Sequence, residues 1–130
     1  MSTSDSIDLV TRFCAAWADG DLDDRHIDAL VEFFTDDAVY HNMPLDPVTG
    51  KEAIRATIAG FTGGVDSVEF RVDNLSGAEA VVLTERVDVF TTPAKTISLP
   101  VMGAFEVREG KIAAWRDYFD LNQFMSQLAG

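Results

Sequence analysis

The sequence predicts an α+β fold, with three helices ahead of a curved, mostly antiparallel β-sheet. Two observations lead there. Apolar residues recur at helical spacing through the first half of the chain, and with period two from about residue 65 onward. The links between the later apolar runs are short and turn-like, which joins long strands into an antiparallel meander. Helices first and strands after is an α+β order. If the sheet curls strongly, the space between it and the helices becomes a cone with a pocket inside.

Ile7, Val10, Phe13, Cys14 and Trp17 set an amphipathic helix near residues 4–18. Gly20 and the acidic run Asp21, Asp23 and Asp24 break it. Ile27, Leu30, Val31 and Phe34 repeat the spacing and give a second helix over about 26–34. Thr35-Asp36-Asp37 reads as a turn and Ala38–Met43 as a short strand. Pro44 and Pro47 end it, since neither donates to a ladder. Thr49-Gly50-Lys51-Glu52 has the form of a capping box, a hydroxyl with a Glu three residues on. It opens a third helix running to Gly60, with Ile54, Ile58 and Phe61 on its buried side. Val65–Asn74, Glu79–Thr91, Thr96–Arg108 and Lys111–Asp120 read as long strands. Their links are Ser76-Gly77, Pro93-Ala94 and Glu109-Gly110, the last a good hairpin signal. Leu121–Leu128 forms a closing helical turn.

A length of 130 residues fits one domain, residues 1–130. Apolar residues make up 47%, enough for one sizeable core, and nine Phe can line a cavity as well as fill it. The net charge of −12 argues against nucleic acid and anionic membranes as partners, because binding a phosphate backbone needs an excess of Lys and Arg. One cysteine, Cys14, excludes an internal disulfide, and its place on an apolar helix face makes it a buried bystander. Met1 to Asp8 is acidic and polar, unlike a signal peptide, and no apolar run approaches the roughly 20 residues of a membrane span. The cytoplasm is the expected location.

Three short stretches put polar groups where a strand's core face should be apolar. Arg86 and Asp88 share a face with Phe90, either as a surface ion pair or as part of a pocket. Asp117 shares a face with Trp115 and Phe119, an acid in an apolar setting that is costly unless paired. Tyr40 and Asn42 share a face near the end of the first strand. Together they suggest one site. Buried Asp117 needs a cation, and the planar fork of Arg86 can bridge two carboxylates, the other being Asp88. Repulsion and low dielectric favour one acid keeping its proton. A carboxylic acid and a carboxylate in one pocket can run a push–pull reaction, and epoxide opening suits it: one group protonates the ring oxygen while the other deprotonates water. This needs no metal and no cofactor. The chain has no Ser-centred elbow or phosphate loop, and neither His26 nor His41 has a partner at metal-ligand spacing.

Those segments resemble the limonene-1,2-epoxide hydrolase family, within the nuclear-transport-factor-2-like and polyketide-cyclase-like cone folds. The matching residues are Tyr40-His41-Asn42-Met43-Pro44-Leu45, Thr84-Glu85-Arg86-Val87-Asp88-Val89 and Trp115-Arg116-Asp117-Tyr118-Phe119-Asp120-Leu121, with Glu109-Gly110-Lys111-Ile112 also fitting. The resemblance implies a strongly curved mixed sheet with the three helices in its concave face. It implies Asp117 as general base, Tyr40 and Asn42 orienting the water with it, Asp88 as general acid and Arg86 bridging the two acids. It also implies a one-step reaction and a homodimer built through the open sheet face. Phe61, Phe90, Leu99, Val101, Phe119 and Phe124 match lining positions for a small apolar, cyclic or terpenoid-like epoxide. The extra Phe in this lining leave the substrate open. Two alternatives stand beside this reading. One is other proton-transfer chemistry on the same fold, of the ketosteroid isomerase or polyketide cyclase kind and including intramolecular epoxide opening. The other is a non-catalytic small-molecule binding module.

Overall fold

A computed structural model of the chain describes residues 2–129; Met1 and Gly130, the ends of the expected domain, lie outside the described residues. The described residues form helices α1 (Thr3–Ala16), α2 (Asp24–Val31), α3 (Lys51–Thr62) and α4 (Leu121–Ala129). Their strands are β1 (Phe34–Asn42), β2 (Val48–Thr49), β3 (Ser67–Ala78), β4 (Val81–Thr91), β5 (Thr96–Arg108) and β6 (Lys111–Tyr118). One open sheet runs in the order β2-β1-β6-β5-β4-β3. Strands β1 and β6 pair in parallel, and the other neighbours are antiparallel. This is a mixed, mostly antiparallel α+β sheet that does not close, in line with the fold class read from the sequence.

Side-chain caps start α1 and α2. The Ser2 hydroxyl accepts the Asp5 amide at the head of α1, and the Asp23 carboxylate accepts the His26 amide at the head of α2. Helix α1 buries Leu9, Val10, Phe13 and Cys14, and α3 buries Ile54 and Ile58. These side chains meet the inner face of the sheet around Trp115, which lies 5.1 Å from Phe13 and stacks on Tyr40 at 4.1 Å and Phe105 at 5.8 Å between ring centres. The outer face leaves Leu83, Met102 and Tyr118 about half exposed. No helix among the described residues is long and apolar enough to cross a membrane.

Several boundaries differ from the sequence reading, each for a physical reason. Thr35–Asp37 is not a free turn. It lies inside β1, where the five steps from Phe34 to Val39 oppose only two on β6, from Ile112 to Ala114, so the strand bulges there. Helix α2 ends at Val31 because Phe34 already belongs to that strand. Thr49 makes no capping box. It pairs with Val39 in the β1–β2 hairpin, and Gly50 heads α3 at φ 95° while its amide donates to Ala38 O at 2.8 Å. The β3–β4 turn falls at Glu79-Ala80, not Ser76-Gly77, with Glu79 in the left-handed region at φ 54°. Gly77 instead marks a close approach of α1, since a Cβ there would come within 3.0 Å of Ile7 Cγ1. Strand β6 stops at Tyr118, and the Asp120 carboxylate accepts the Gln123 amide to open α4, a nine-residue helix where a single turn was expected.

Candidate active site

Cross-strand register on the inner face lines up the polar groups in rows. Asn42, Asp117, Gly103 and Thr84 form one row across β1, β6, β5 and β4. Arg86 and Val101 form the next, and Phe70, Asp88 and Leu99 the one after. Thr84, Arg86 and Asp88 therefore point inward at alternate positions of β4, beneath the helices and away from water. The surface ion-pair alternative for Arg86 and Asp88 is thereby removed: Arg86, Asp88 and Asp117 are all buried.

Arg86 reaches across β5 and engages both acids. Its Nε and Nη2 donate to Asp88 at 3.0 and 2.9 Å, and its Nη1 and Nη2 donate to Asp117 at 3.1 and 2.8 Å. Nη1 also donates to Thr84 Oγ1 at 3.2 Å. An arginine has five N–H donors in a rigid fork, and these bonds use them all. The Phe70 ring covers the guanidinium at 4.5 Å. Burial opposes the Arg86 charge, but the two carboxylates outweigh it and hold its proton more tightly than usual.

The two acids are not equivalent. Asp117 accepts from Trp115 Nε1 at 2.7 Å besides its two bonds from Arg86. Three donors on one carboxylate fix its plane. Asp88 has Arg86 alone. Burial pushes its carboxyl up to about 6, with the guanidinium pulling the other way and the Asp117 charge adding to the rise. Asp88 is thus a group that holds or releases a proton near neutrality. Beside them, the Tyr40 hydroxyl donates to Asn42 Oδ1 at 3.1 Å, which turns the Asn42 amide orientation into a fixed feature. Burial, reinforced by the Asp117 charge, keeps the Tyr40 phenol protonated well beyond its usual range.

A cavity of about 100 Å³ opens onto this cluster. Tyr40, Asn42, Asp88 and Asp117 line it, together with all six expected wall residues, Phe61, Phe90, Leu99, Val101, Phe119 and Phe124. Arg86 stands behind the two carboxylates, fully buried. The sequence reading missed Leu45, Phe70 and Leu121 as further walls. Phe70 was legible as the inward partner of Val68 two residues away, whereas Leu45 and Leu121 sit beyond strand ends, where periodicity carries no signal. It placed Trp115 on the face of Asp117 but only as an apolar neighbour, not as a donor, and it missed Thr84, which a same-face count on β4 would have brought beside Arg86.

The remaining candidates fall away from this site. His41 Nε2 contacts Leu45 O at 2.9 Å, and His26 contacts Ala16 O and Asp21 O, so both rings serve the backbone. Burial pushes the Cys14 thiol up to about 12, which leaves it inert. Among the described residues no group of three His, Cys, Asp or Glu side chains is placed to hold a metal ion.

Comparison with known proteins adds an independent line. Residues 4–130 match the limonene-1,2-epoxide hydrolase catalytic domain. The chain is 32% identical over 110 residues to epoxide hydrolase EphG of Mycobacterium tuberculosis, covering 84% of this chain and 73% of that protein. It superposes on the structure of an M. tuberculosis epoxide hydrolase of the same type with a TM-score of 0.81 at 28% identity, covering 98% of this chain and 91% of the other. A polyketide cyclase candidate of Xanthomonas campestris superposes with a TM-score of 0.83 at 17% identity, covering 97% and 98%, which is a likeness of fold alone.

Proposed function

The chain belongs to the limonene-1,2-epoxide hydrolase family, and from that premise we propose that it hydrolyses a small apolar epoxide to a vicinal diol in one step. The observation that carries the reading is the Arg86 bridge, with two carboxyls in unlike settings facing one apolar cavity: Asp117 held by three donors, and Asp88 pushed up to about 6 by burial. Asp117 is the general base. It takes a proton from a water held with the help of Tyr40 and Asn42, and the oxygen of that water attacks a ring carbon. The C–O bond of the epoxide breaks as Asp88, the general acid, donates its proton to the departing oxygen. Asp117 ends with the proton taken from water and Asp88 ends ionised, and exchange with solvent restores both. Arg86 holds the two carboxyls at fixed separation and offsets their charge throughout, since it has no N–H left for substrate.

The small cavity and its aromatic walls favour a compact apolar substrate of cyclic or terpenoid type. The exposed Leu83, Met102 and Tyr118 on the outer sheet face support a homodimer joined there. A cytoplasmic location completes the proposal, in keeping with a single unpaired cysteine.

The test is diol formation from a panel of cyclic and linear epoxides in 18O-labelled water, with chelator present. Turnover by the wild type, lost in Asp117→Asn and Asp88→Asn, with single-turnover label entering from water, is the expected result. Label arriving from the protein instead would refute the one-step route. No turnover of any epoxide, alongside isomerisation of a ketosteroid, would overturn the reading altogether.

A further inference from the structure

We propose that Gly103 is a positioning residue for this reaction, because the side chain it lacks is the space in which the Arg86 guanidinium sits. This rests on the proposed epoxide hydrolysis for its kinetic readout only; the geometry stands apart from it.

Arg86 and Asp117 lie on β4 and β6, two strand spacings or roughly 9.5 Å apart, with β5 between them. Their contact has to pass over β5. The residue under the crossing is Gly103, the register partner of Thr84 on one side and of Asp117 on the other. Its neighbours at alternate positions, Val101 and Phe105, are buried on the inner face, so any side chain at 103 would point inward as theirs do. A Cβ built there comes 2.4 Å from Arg86 Nη1, 2.8 Å from Asp117 Oδ1 and 2.8 Å from Thr84 Oγ1. All three are closer than a carbon approaches.

None of the three can yield without cost to the site. The guanidinium spends all five N–H groups on Asp88, Asp117 and Thr84, and Phe70 covers its face. Asp117 is pinned by Trp115 as well. Backbone conformation does not explain the glycine, because Gly103 is absent from the positive-φ positions, which among glycines are Gly20, Gly50, Gly64 and Gly110. Glycine weakens a central strand by its flexibility and its lack of side-chain packing. The space above it, filled by the charged fork, is what the site gains. A single methyl at 103 drives the fork away from Asp117, and the bridge that fixes base and acid relative to each other opens.

Gly103→Ala tests this against Gly77→Ala, a strand glycine whose added Cβ meets the Ile7 side chain at 3.0 Å on the same side of the sheet. Gly103→Ala is expected to fold, to lower kcat about 100-fold with KM within about threefold because the cavity walls are untouched, and to shift the Asp88 titration, followed by carboxyl 13C NMR, as the guanidinium it shares with Asp117 moves. Gly77→Ala is expected to keep the wild-type kcat and Asp88 titration. An Asp88 titration unchanged in Gly103→Ala overturns the proposal, and so does an equal loss of kcat in Gly77→Ala. If the wild type turns over no epoxide, the functional reading fails while the NMR comparison still decides the role of Gly103. If Gly103→Ala does not fold, Gly103→Ala/Arg86→Ala is set beside Arg86→Ala by circular dichroism at pH 5: a double variant as native as Arg86→Ala alone supports the proposal, and loss of the native spectrum in the double variant only overturns it.

Discussion

Asp88 gives the protein a pH dependence whose sign is fixed by its burial. Its carboxyl titrates at 3.8 in an ordinary setting and at about 6 in the folded chain, chiefly because burial disfavours the anion. Below pH 4 it is protonated in both states, and its contribution to stability is fully present. Between 4 and 6 the unfolded chain releases a proton that the native state still holds, so stability is lost as pH rises through the folded value. At about 1.4 kcal/mol for each pH unit, the difference between 3.8 and about 6 amounts to about 3 kcal/mol. For a chain of 130 residues that is about 10 °C in Tm. Thermal melts of wild type and Asp88→Asn from pH 4 to 7.5 isolate it, since the constant cost of the substitution drops out of the comparison. The Tm of Asp88→Asn should gain about 10 °C on the wild type across that range. In parallel, kcat/KM of the wild type should fall about tenfold for each unit above pH 6, because protonated Asp88 is the active form. A Tm difference that stays level with pH, or that moves toward the wild type as pH rises, refutes the reasoning.

The other predictions concern single contacts. Tyr40→Phe removes the hydroxyl that fixes Asn42 and should lower kcat about 10- to 100-fold with KM little changed, read by steady-state kinetics. Trp115→Phe strips one of three donors from Asp117; it should cost about 1.5–3 kcal/mol in urea unfolding and lower kcat as the carboxylate loses its fixed plane. Leu83→Asp/Met102→Asp places charge on the exposed outer face. Sedimentation equilibrium should then report a monomer that keeps its turnover, and a dimer unaffected by the pair would put the interface elsewhere.

The sequence by itself determined the order of the long helices and strands, which residues share a face on each long strand, and five polar residues to be weighed as one site. Periodicity of 3.6 and of two is written locally, so α1 and β4 could be read from Val10, Phe13, Arg86 and Asp88 without knowing what covers them. The same locality limited it. Thr49 has the chemistry of a cap, but the ladder with Val39 took it; Gly77 has the chemistry of a turn, but the approach of α1 to β3 explains it. Whether Arg86 and Asp88 faced water or a pocket was likewise undecidable on β4 alone. Tertiary structure decided it by laying Asp117 two strands away across β5 and setting β1 parallel beside β6, so that Tyr40 and Asn42 joined from the far end of the chain. Contacts of that range depend on which strands become neighbours. Strand neighbours are chosen by burial of the whole inner face, not by any segment's own pattern.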